Sequence, residues 1–206
     1  MKNKDLKKRV IEISYKNNLS HLGSCLTALP IIDEIYQQKK PDERFVLSSG
    51  HAHLAHAVVM EKYGITQDAE ENIKKYGIHC EREGGCDVST GSLGHGLGIA
   101  LGMALADRSK NVYCLISDGE CSEGSVWEAL RIQKEQHLDN LLVYVNINGF
   151  GAYKDINAMK LANQLEYMSW AVPKFTTNEF SFLNGLDAHY MTMTEENYLE
   201  AMKLLK

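Results

Sequence analysis

Residues 111–153 read NVYCLISDGECSEGSVWEALRIQKEQHLDNLLVYVNINGFGAY, and the fold follows from them. Their pattern predicts a buried strand at Val112–Ile116, a helix at about Glu123–His137 and a second buried strand at Leu141–Val145. Short apolar runs on either side of an amphipathic helix are typical of a parallel βαβ unit, because both faces of its sheet are covered. The sequence therefore predicts an α/β fold with a mainly parallel sheet flanked by helices.

Asp118 and Asn148 each follow one of these strands, 30 residues apart, which is about the length of one βαβ step. Strands joined by a right-handed crossover point the same way, so both residues should lie at the carboxyl edge, where open α/β sheets bind ligands. Their oxygens and the carbonyls of the turn at Gly149 and Phe150 form a set suited to Mg²⁺ or Ca²⁺. Because protein-bound Mg²⁺ usually keeps phosphate oxygens as ligands, a metal with a diphosphate is expected. Taken singly, Asp118 could instead cap a helix and Asn148 could occupy a turn.

The motifs in this stretch resemble the thiamine diphosphate motif of the transketolases. They are DGE at 118–120, EG at 123–124, WEAL at 127–130, LDNL at 138–141 and NG at 148–149. The resemblance implies a three-layer thiamine diphosphate-binding fold. It implies that Asp118, Asn148 and the Phe150 carbonyl bind the metal, and that Gly119 lies beside the cofactor. Ser117 replaces the family's usual opening glycine, and this change removes no metal ligand.

Four further segments resemble the family: SHLGS at 20–24, SSGH at 48–51, GIHC at 77–80 and TGSLGHG at 90–96. The resemblance implies that His21 faces the reacting sugar, that His51 lies beside the cofactor and that His79 lies against the reactive thiazolium carbon. It also implies that Gly91 and Leu93 approach the cofactor through their backbones. Taken alone, a histidine near a helix start, such as His21, is more often a capping or surface residue.

The resemblance covers only the diphosphate-binding half of a transketolase. It implies a single domain over residues 1–206, acting as the N-terminal subunit of a split enzyme with a C-terminal-type, pyrimidine-half partner, two of each. The implied reaction moves a two-carbon ketol unit from a ketose to an aldose or its phosphate. In the family, the residue that corresponds to Glu123 contacts the partner's catalytic acid. Glu123 could equally be an acidic residue that the helix dipole favours in the first turn of a helix. The missing interface should appear as an exposed apolar patch.

Three alternatives remain open. Related N-terminal subunits continue further and supply another phosphate-facing histidine, whereas this chain stops at Lys206, so a related carboligase or acyl transfer on thiamine diphosphate is possible. A catalytically silent binding subunit would have no need for the metal ligands. The glycines of GHGLG at 94–98 with Asp118 imitate a dinucleotide fingerprint and would suit an NAD-dependent oxidoreductase, but no strand precedes them and the spacing is wrong.

Composition limits the partners. A net charge of −5 and a pI near 5.9 argue against binding to nucleic acid or an anionic membrane, and the chain reads as cytoplasmic, without a signal or membrane span. The five cysteines do not suggest a disulfide framework. His79, Cys80 and Cys86 resemble half of a zinc site, but we expect no second pair of ligands to complete it. His53 and His56 have no counterpart in the family and are expected at the surface.

The remaining pattern predicts helices at Lys4–Lys16, Leu54–Tyr63, Thr66–Tyr76, Asp155–Met168 and Glu195–Leu205, and another through Leu26 to Tyr36 that Pro30 kinks or begins. Thr66 is the expected cap of its helix. Residues 180–192 are expected to form a turn and a strand. The DAH segment at 187–189 only loosely resembles a family motif, and we expect no role for it.

Overall fold

The computed structural model describes residues 3–151 and 155–206. One parallel sheet has the strand order β1-β2-β3-β4, with β1 at Arg44–Leu47, β2 at Val112–Ser117, β3 at Leu141–Ile147 and β4 at Val172–Phe175. The helices are α1 Lys4–Lys16, α2 Leu22–Gln38, α3 His53–Lys62, α4 Ala69–Tyr76, α5 His95–Ala106, α6 Gly124–Glu135, α7 Ala158–Met168 and α8 Glu195–Leu204. The predicted α/β fold with a parallel sheet is confirmed.

The sheet separates two hydrophobic clusters, because successive strand residues point to opposite faces. Phe45 and Leu115 face the cluster formed with α1, α2, α3 and α8. Val46 and Ile116 face the cluster formed with α5, α6 and α7. The result is the expected three layers. No helix within the described residues combines the length and apolar character needed to cross a bilayer.

Two helix starts differ from those suggested by the sequence. Pro30 does not begin α2, which starts at Leu22, and it lies inside the helix, which continues to Gln38. Thr66 does not cap α4, because the cap is Asp68, whose carboxylate accepts hydrogen bonds from the backbone N–H groups of Glu70 and Glu71. A carboxylate at the cap position satisfies free N–H groups and also favours the positive end of the helix dipole.

Strand β4 was not predicted. Its sequence, VPKF, contains Pro173 and shows no alternation of apolar and polar residues, and such a segment is tolerated only at a sheet edge. The turn predicted in the segment 180–192 is present, because the Leu183 N–H donates to the Phe180 carbonyl at 3.1 Å. The predicted strand is not, and a short 3₁₀ helix at Leu186–His189 is followed by an irregular segment.

At the opposite edge, a side chain covers the outer side of β1. The Phe45 N–H donates to the Asp87 carboxylate at 2.8 Å, and the Arg44 guanidinium donates to its other oxygen at 2.8 Å. The Thr90 hydroxyl donates to the Leu47 carbonyl at 2.6 Å. These bonds satisfy exposed edge groups and attach the loop between α4 and α5 to the sheet.

Replacing Asp87 with Ala should lower the free energy of unfolding by about 1–2 kcal/mol, because the partly buried Phe45 N–H loses its acceptor. Replacing Asp87 with Asn should cost less than about 0.5 kcal/mol, since an amide oxygen still accepts that bond and the ion pair with the exposed Arg44 is weak. Urea unfolding of the two variants checks this. Equal losses would show that the charge, and not the backbone hydrogen bond, holds the loop.

Candidate functional site

A cleft of about 230 Å³ lies at the carboxyl ends of the strands. The loops after β1, β2 and β3 form its floor, and the start of α2 with the segment before α8 forms one wall. Its lining includes nearly all of the predicted site residues: His21, His51, His79, Gly91, Leu93, Asp118, Gly119, Asn148 and Phe150. Sequence positions more than a hundred residues apart therefore meet at one place.

Asp118 lies at the floor of the cleft and is 1% exposed. Its carboxylate accepts hydrogen bonds from the backbone N–H groups of Asn148 at 2.9 Å, Gly149 at 2.8 Å and Gly119 at 3.0 Å. Burial raises the pKa of Asp118 to about 6, and these N–H groups oppose that shift. The two predicted metal-binding positions are thus in direct contact, and a cation here would compensate a buried carboxylate.

A buried hydroxyl orients the amides that follow β3. Asn146 and Asn148 donate their Nδ2 groups to Thr27 Oγ1 at 3.1 and 3.4 Å. The Asn148 Oδ1 atom accepts the Phe150 N–H at 3.0 Å, which leaves it a second lone pair. Asn146 Oδ1 accepts a hydrogen bond from the hydroxyl of Thr176. A neutral amide suits position 146, because it donates to one hydroxyl and accepts from another.

The donors at this floor fit a divalent cation. They are a carboxylate, an amide oxygen and a backbone carbonyl at Asp118, Asn148 and Phe150, which are the hard oxygen ligands that Mg²⁺ and Ca²⁺ prefer. Glycine also keeps the adjacent wall open. A Cβ atom on Gly91 would lie 3.2 Å from the His79 ring, so a side chain there would displace that ring by a few tenths of an ångström. The residues therefore fit a metal-bound diphosphate.

Histidines form one wall of the cleft. The His21 ring centroid lies 5.1 Å from that of His51 and 6.3 Å from that of His189. Burial lowers the pKa of His51 to about 3, and the charges of His21, His189 and His79 lower it further. Burial also lowers the pKa values of His21 and His189. These rings are neutral near pH 7, so each can both donate and accept a hydrogen bond.

His21 combines a strained backbone with an unpaired side-chain atom. Its φ of +60° lies in the left-handed region, and its N–H donates to the His189 carbonyl at 2.8 Å. Its buried Nδ1 atom has no hydrogen-bond partner within the described part of the chain. Strain of this kind costs on the order of 1–3 kcal/mol and concentrates at functional sites. His21 lines the cleft, and its strained backbone and unpaired side-chain nitrogen mark it as a candidate functional residue.

Glu120 is fully buried behind the floor of the cleft. One carboxylate oxygen accepts the Ser48 hydroxyl at 2.5 Å and the Gly94 N–H at 3.0 Å, and the other accepts the Ser117 N–H at 2.9 Å. Burial raises the pKa of Glu120, and these donors oppose that shift. One carboxylate thereby joins the ends of β1 and β2 to the turn that starts α5.

Replacing Glu120 with Gln should lower the free energy of unfolding by about 1–3 kcal/mol, because an amide NH₂ group would face donors that need an acceptor. Replacing the exposed Glu128 with Gln is the control and should change it by less than about 0.5 kcal/mol. Urea unfolding measures both. A Glu120 variant as stable as the control would contradict this function of the carboxylate.

Comparisons with known proteins identify the family. Transketolase-like protein 2 of Bos taurus is 40% identical over 154 residues, which cover 64% of this chain and 24% of that protein. The family model described as 1-deoxy-D-xylulose-5-phosphate synthase matches residues 2–204. The chain belongs to the transketolase-like thiamine diphosphate family. It spans about a quarter of the length of the animal transketolases that it matches.

Two more relatives of the transketolase family are informative. One of the subunits of the apulose-4-phosphate transketolase of Phocaeicola vulgatus is 35% identical over 162 residues, covering 69% of this chain and 58% of that protein. The solved transketolase of Campylobacter jejuni superposes with a TM-score of 0.77 at 20% identity, over 100% of this chain and 43% of that one. At that identity the structural likeness shows the fold alone.

Among the positions that the transketolase resemblance singled out, Glu123 lies outside the cleft lining. It directly precedes α6 and makes no side-chain capping bond there. Its side chain packs on Gly94, where an added Cβ atom would lie 2.8 Å from the Glu123 Cβ. Glu123 is half-buried at the start of α5.

His189 was missed by the sequence reasoning. It lines the cleft, and its Nδ1 atom lies 3.5 Å from the Ser24 hydroxyl. Tyr190, which also lines the cleft, stacks edge-on against His21 at 5.6 Å. The available signal was the DAH segment at 187–189, whose likeness to a transketolase motif was too loose to use. His189 is therefore a further histidine of the cleft, and it comes from the last fifth of this chain.

The surface placement expected for His53 and His56 was wrong, because they are 0% and 1% exposed. Helix α3 is covered by α1, α2 and α4, so it has no exposed side from His53 to Met60. Both rings face the sulfur atoms of Cys80 and Cys86. His53 and His56 are an H-x-x-H pair, so the expectation that no second ligand pair accompanies these cysteines was also wrong. Absence from the transketolase motifs did not imply exposure.

Replacing His21 with Gly should leave the free energy of unfolding unchanged or raise it by about 1 kcal/mol, since glycine removes left-handed strain. Cofactor-dependent turnover should nevertheless fall, because the imidazole of a residue that lines the cleft is lost. The exposed His137, with a φ of +48°, offers a matched control, and its replacement by Gly should stabilise without changing turnover. Equal turnover in both variants would remove His21 from the functional site.

Proposed function

We propose that this chain is the diphosphate-half subunit of a two-subunit transketolase that transfers a two-carbon ketol unit from a ketose to an aldose or aldose phosphate. The observation that carries the proposal is the cleft itself, which combines an oxygen donor set for a metal diphosphate with a wall of neutral histidines. The relative from Phocaeicola vulgatus, whose name describes one subunit of a transketolase, supports a division between two chains.

Asp118, Asn148 and the Phe150 carbonyl would hold Mg²⁺, or Ca²⁺ in its place, with the diphosphate. The backbone at Gly91 and Leu93 and the turn at Gly119 would lie along the cofactor. When bound, thiamine diphosphate supplies the carbon nucleophile that accepts and releases the ketol unit.

The chain's own histidines would bind and orient the sugar. Neutral His21 and His51 can each donate to a sugar oxygen and accept from a hydroxyl, and His79 lies beside them in the lining of the cleft. His21 is best placed to exchange a proton, because its Nδ1 atom makes no competing hydrogen bond within the described residues. His189 adds a fourth ring beside it.

The partner would dock on the exposed side of α5. Ile99 and Leu105 are 40% and 41% exposed on this helix. A Cβ atom on Gly98 or Gly102 of the same helix would meet nothing within 4 Å. Glu123 lies beside the start of the same helix and would contact the partner's catalytic acid. A pyrimidine-half subunit bound here, two of each in the assembly, would complete the cofactor site.

Two further candidate functions remain. The family model's description, 1-deoxy-D-xylulose-5-phosphate synthase, favours an acyl-type transfer on the same cofactor. A silent binding subunit is the other, but Asp118 and Asn148 then serve no purpose. The five cysteines are buried and form no disulfide, which supports a cytoplasmic location for this chain.

Replacing Asp118 with Ala should abolish Mg²⁺-dependent binding of thiamine diphosphate, because the charged metal ligand is removed. The fold should persist with a free energy of unfolding about 1–3 kcal/mol lower, because three backbone N–H groups lose their acceptor. The control is Asp139, an exposed residue just before the amino end of β3. Its replacement by Ala should leave binding unchanged. Calorimetry on the chain alone and mixed with a pyrimidine-half subunit measures the binding. Unchanged affinity in the Asp118 variant would contradict the metal assignment.

The same mixtures decide between the functions when they are supplied with an aldose acceptor and either a ketose or a 2-oxo acid as donor. Turnover with the ketose, only in the mixture, supports the split transketolase. Turnover with the 2-oxo acid alone supports the acyl transfer. Cofactor binding without turnover of either donor would support the silent subunit.

A further inference from the structure

A second cluster of ligating side chains lies behind the cleft. His53 and His56 come from adjacent turns of α3, and Cys80 and Cys86 come from the loop between α4 and α5. One ligand atom from each residue lies within 4.8 Å of all the others, and all four residues are buried. The proposed thiamine diphosphate site uses none of them.

The distances match a tetrahedral metal centre. Cys80 Sγ lies 3.5 and 3.8 Å from the Nδ1 atoms of His53 and His56, and Cys86 Sγ lies 3.6 and 3.5 Å from the same atoms. Tetrahedral Zn²⁺ binds sulfur at about 2.3 Å and imidazole nitrogen at about 2.0–2.1 Å, which separates such ligands by about 3.5 Å. Four independent distances therefore agree with one central ion.

The outer nitrogen of each imidazole is also held. His53 Nε2 lies 3.1 Å from Asn72 Oδ1, and the Asn72 amide donates its Nδ2 to the Gly84 carbonyl at 2.7 Å, so its oxygen faces the ring. His56 Nε2 lies 2.7 Å from the Tyr36 hydroxyl. An acceptor at Nε2 keeps the proton there and leaves Nδ1 free to bind a metal, as ligating histidines generally require.

We propose that these four residues bind one structural Zn²⁺ ion. Two thiolates and two neutral imidazoles balance the charge of Zn²⁺, which permits such a group in a dry interior. A tetrahedral set of two sulfurs and two nitrogens favours zinc over Mg²⁺ or Ca²⁺. Four protein ligands leave no open position, so the ion has a structural role and not a catalytic one.

The zinc holds three segments of the cleft from behind. His51 precedes His53 by two residues, and His79 directly precedes Cys80. The Thr90 N–H donates to the Cys80 carbonyl at 3.0 Å, and the next residue after Thr90 is Gly91, which lines the cleft. The ion therefore ties the loop with His79 to the helix that follows His51.

Elemental analysis of the purified full chain tests the proposal and is independent of any transketolase activity. We expect one zinc per chain, lost in the variants Cys86→Ser and His56→Gln. The controls Cys121→Ser and His95→Gln change a cysteine and a histidine outside the cluster and should retain the zinc. Chelation should lower Tm, and Zn²⁺ but not Mg²⁺ should restore it.

A measurement on the unmodified chain covers the case in which the ligand variants fail to fold. Chain freed of metal by chelation and loaded with Co²⁺ should show the d–d absorption of a tetrahedral site and a thiolate charge-transfer band. A chain without zinc, zinc retained by both ligand variants, a Cys80–Cys86 disulfide or an octahedral cobalt spectrum would each overturn the proposal.

Discussion

The buried carboxylate of Glu120 is the constraint on which the cleft depends. A fully buried carboxylate is tolerated only when donors surround it, and here the donors come from the ends of two strands and from the turn before α5. Satisfying that one group brings three otherwise separate loops to one edge of the sheet. Asp118, at the floor of the cleft, is a second buried carboxylate of this kind, and it accepts hydrogen bonds from three backbone N–H groups.

Two buried arrangements with different chemistry share the same scaffold. The floor of the cleft presents hard oxygens, which suit a divalent cation and a diphosphate, whereas the cluster behind it presents soft sulfur and nitrogen. Because the loop from Gly77 to Gly94 contributes to both, its conformation couples them. Asp87 accepts a hydrogen bond from the Phe45 N–H of β1, and the Thr90 hydroxyl donates to the Leu47 carbonyl of β1, so both residues attach that loop to the sheet.

The sequence predicted the central βαβ unit well because three signals indicate the same structure. They are the apolar periodicity of its strands and helix, the polar residues of its loops, and the 30 residues between Asp118 and Asn148. Val112–Ser117 and Leu141–Ile147 form neighbouring parallel strands, and Asp118 meets Asn148 as expected. Tertiary packing decided what the sequence could not. His53 and His56 are polar residues, and nothing in their local sequence indicates that the helices and the loop packed on α3 bury them. Strand β4 has no strand pattern, and neighbouring β3 alone gives it that conformation. His189 reaches the cleft through a segment whose local signal was too weak to use.

The hydrogen bond from the His21 N–H to the His189 carbonyl joins residues 168 positions apart. Such distant pairings form late, because the entropy of closing a long loop must be overcome first. A ribosome builds the chain from its amino end, so residues 44–147, which contain β1, β2 and β3, are made before His189. The histidine wall cannot close until synthesis has passed residue 189. A sheet assembled before that point would have its ligand edge open on one side.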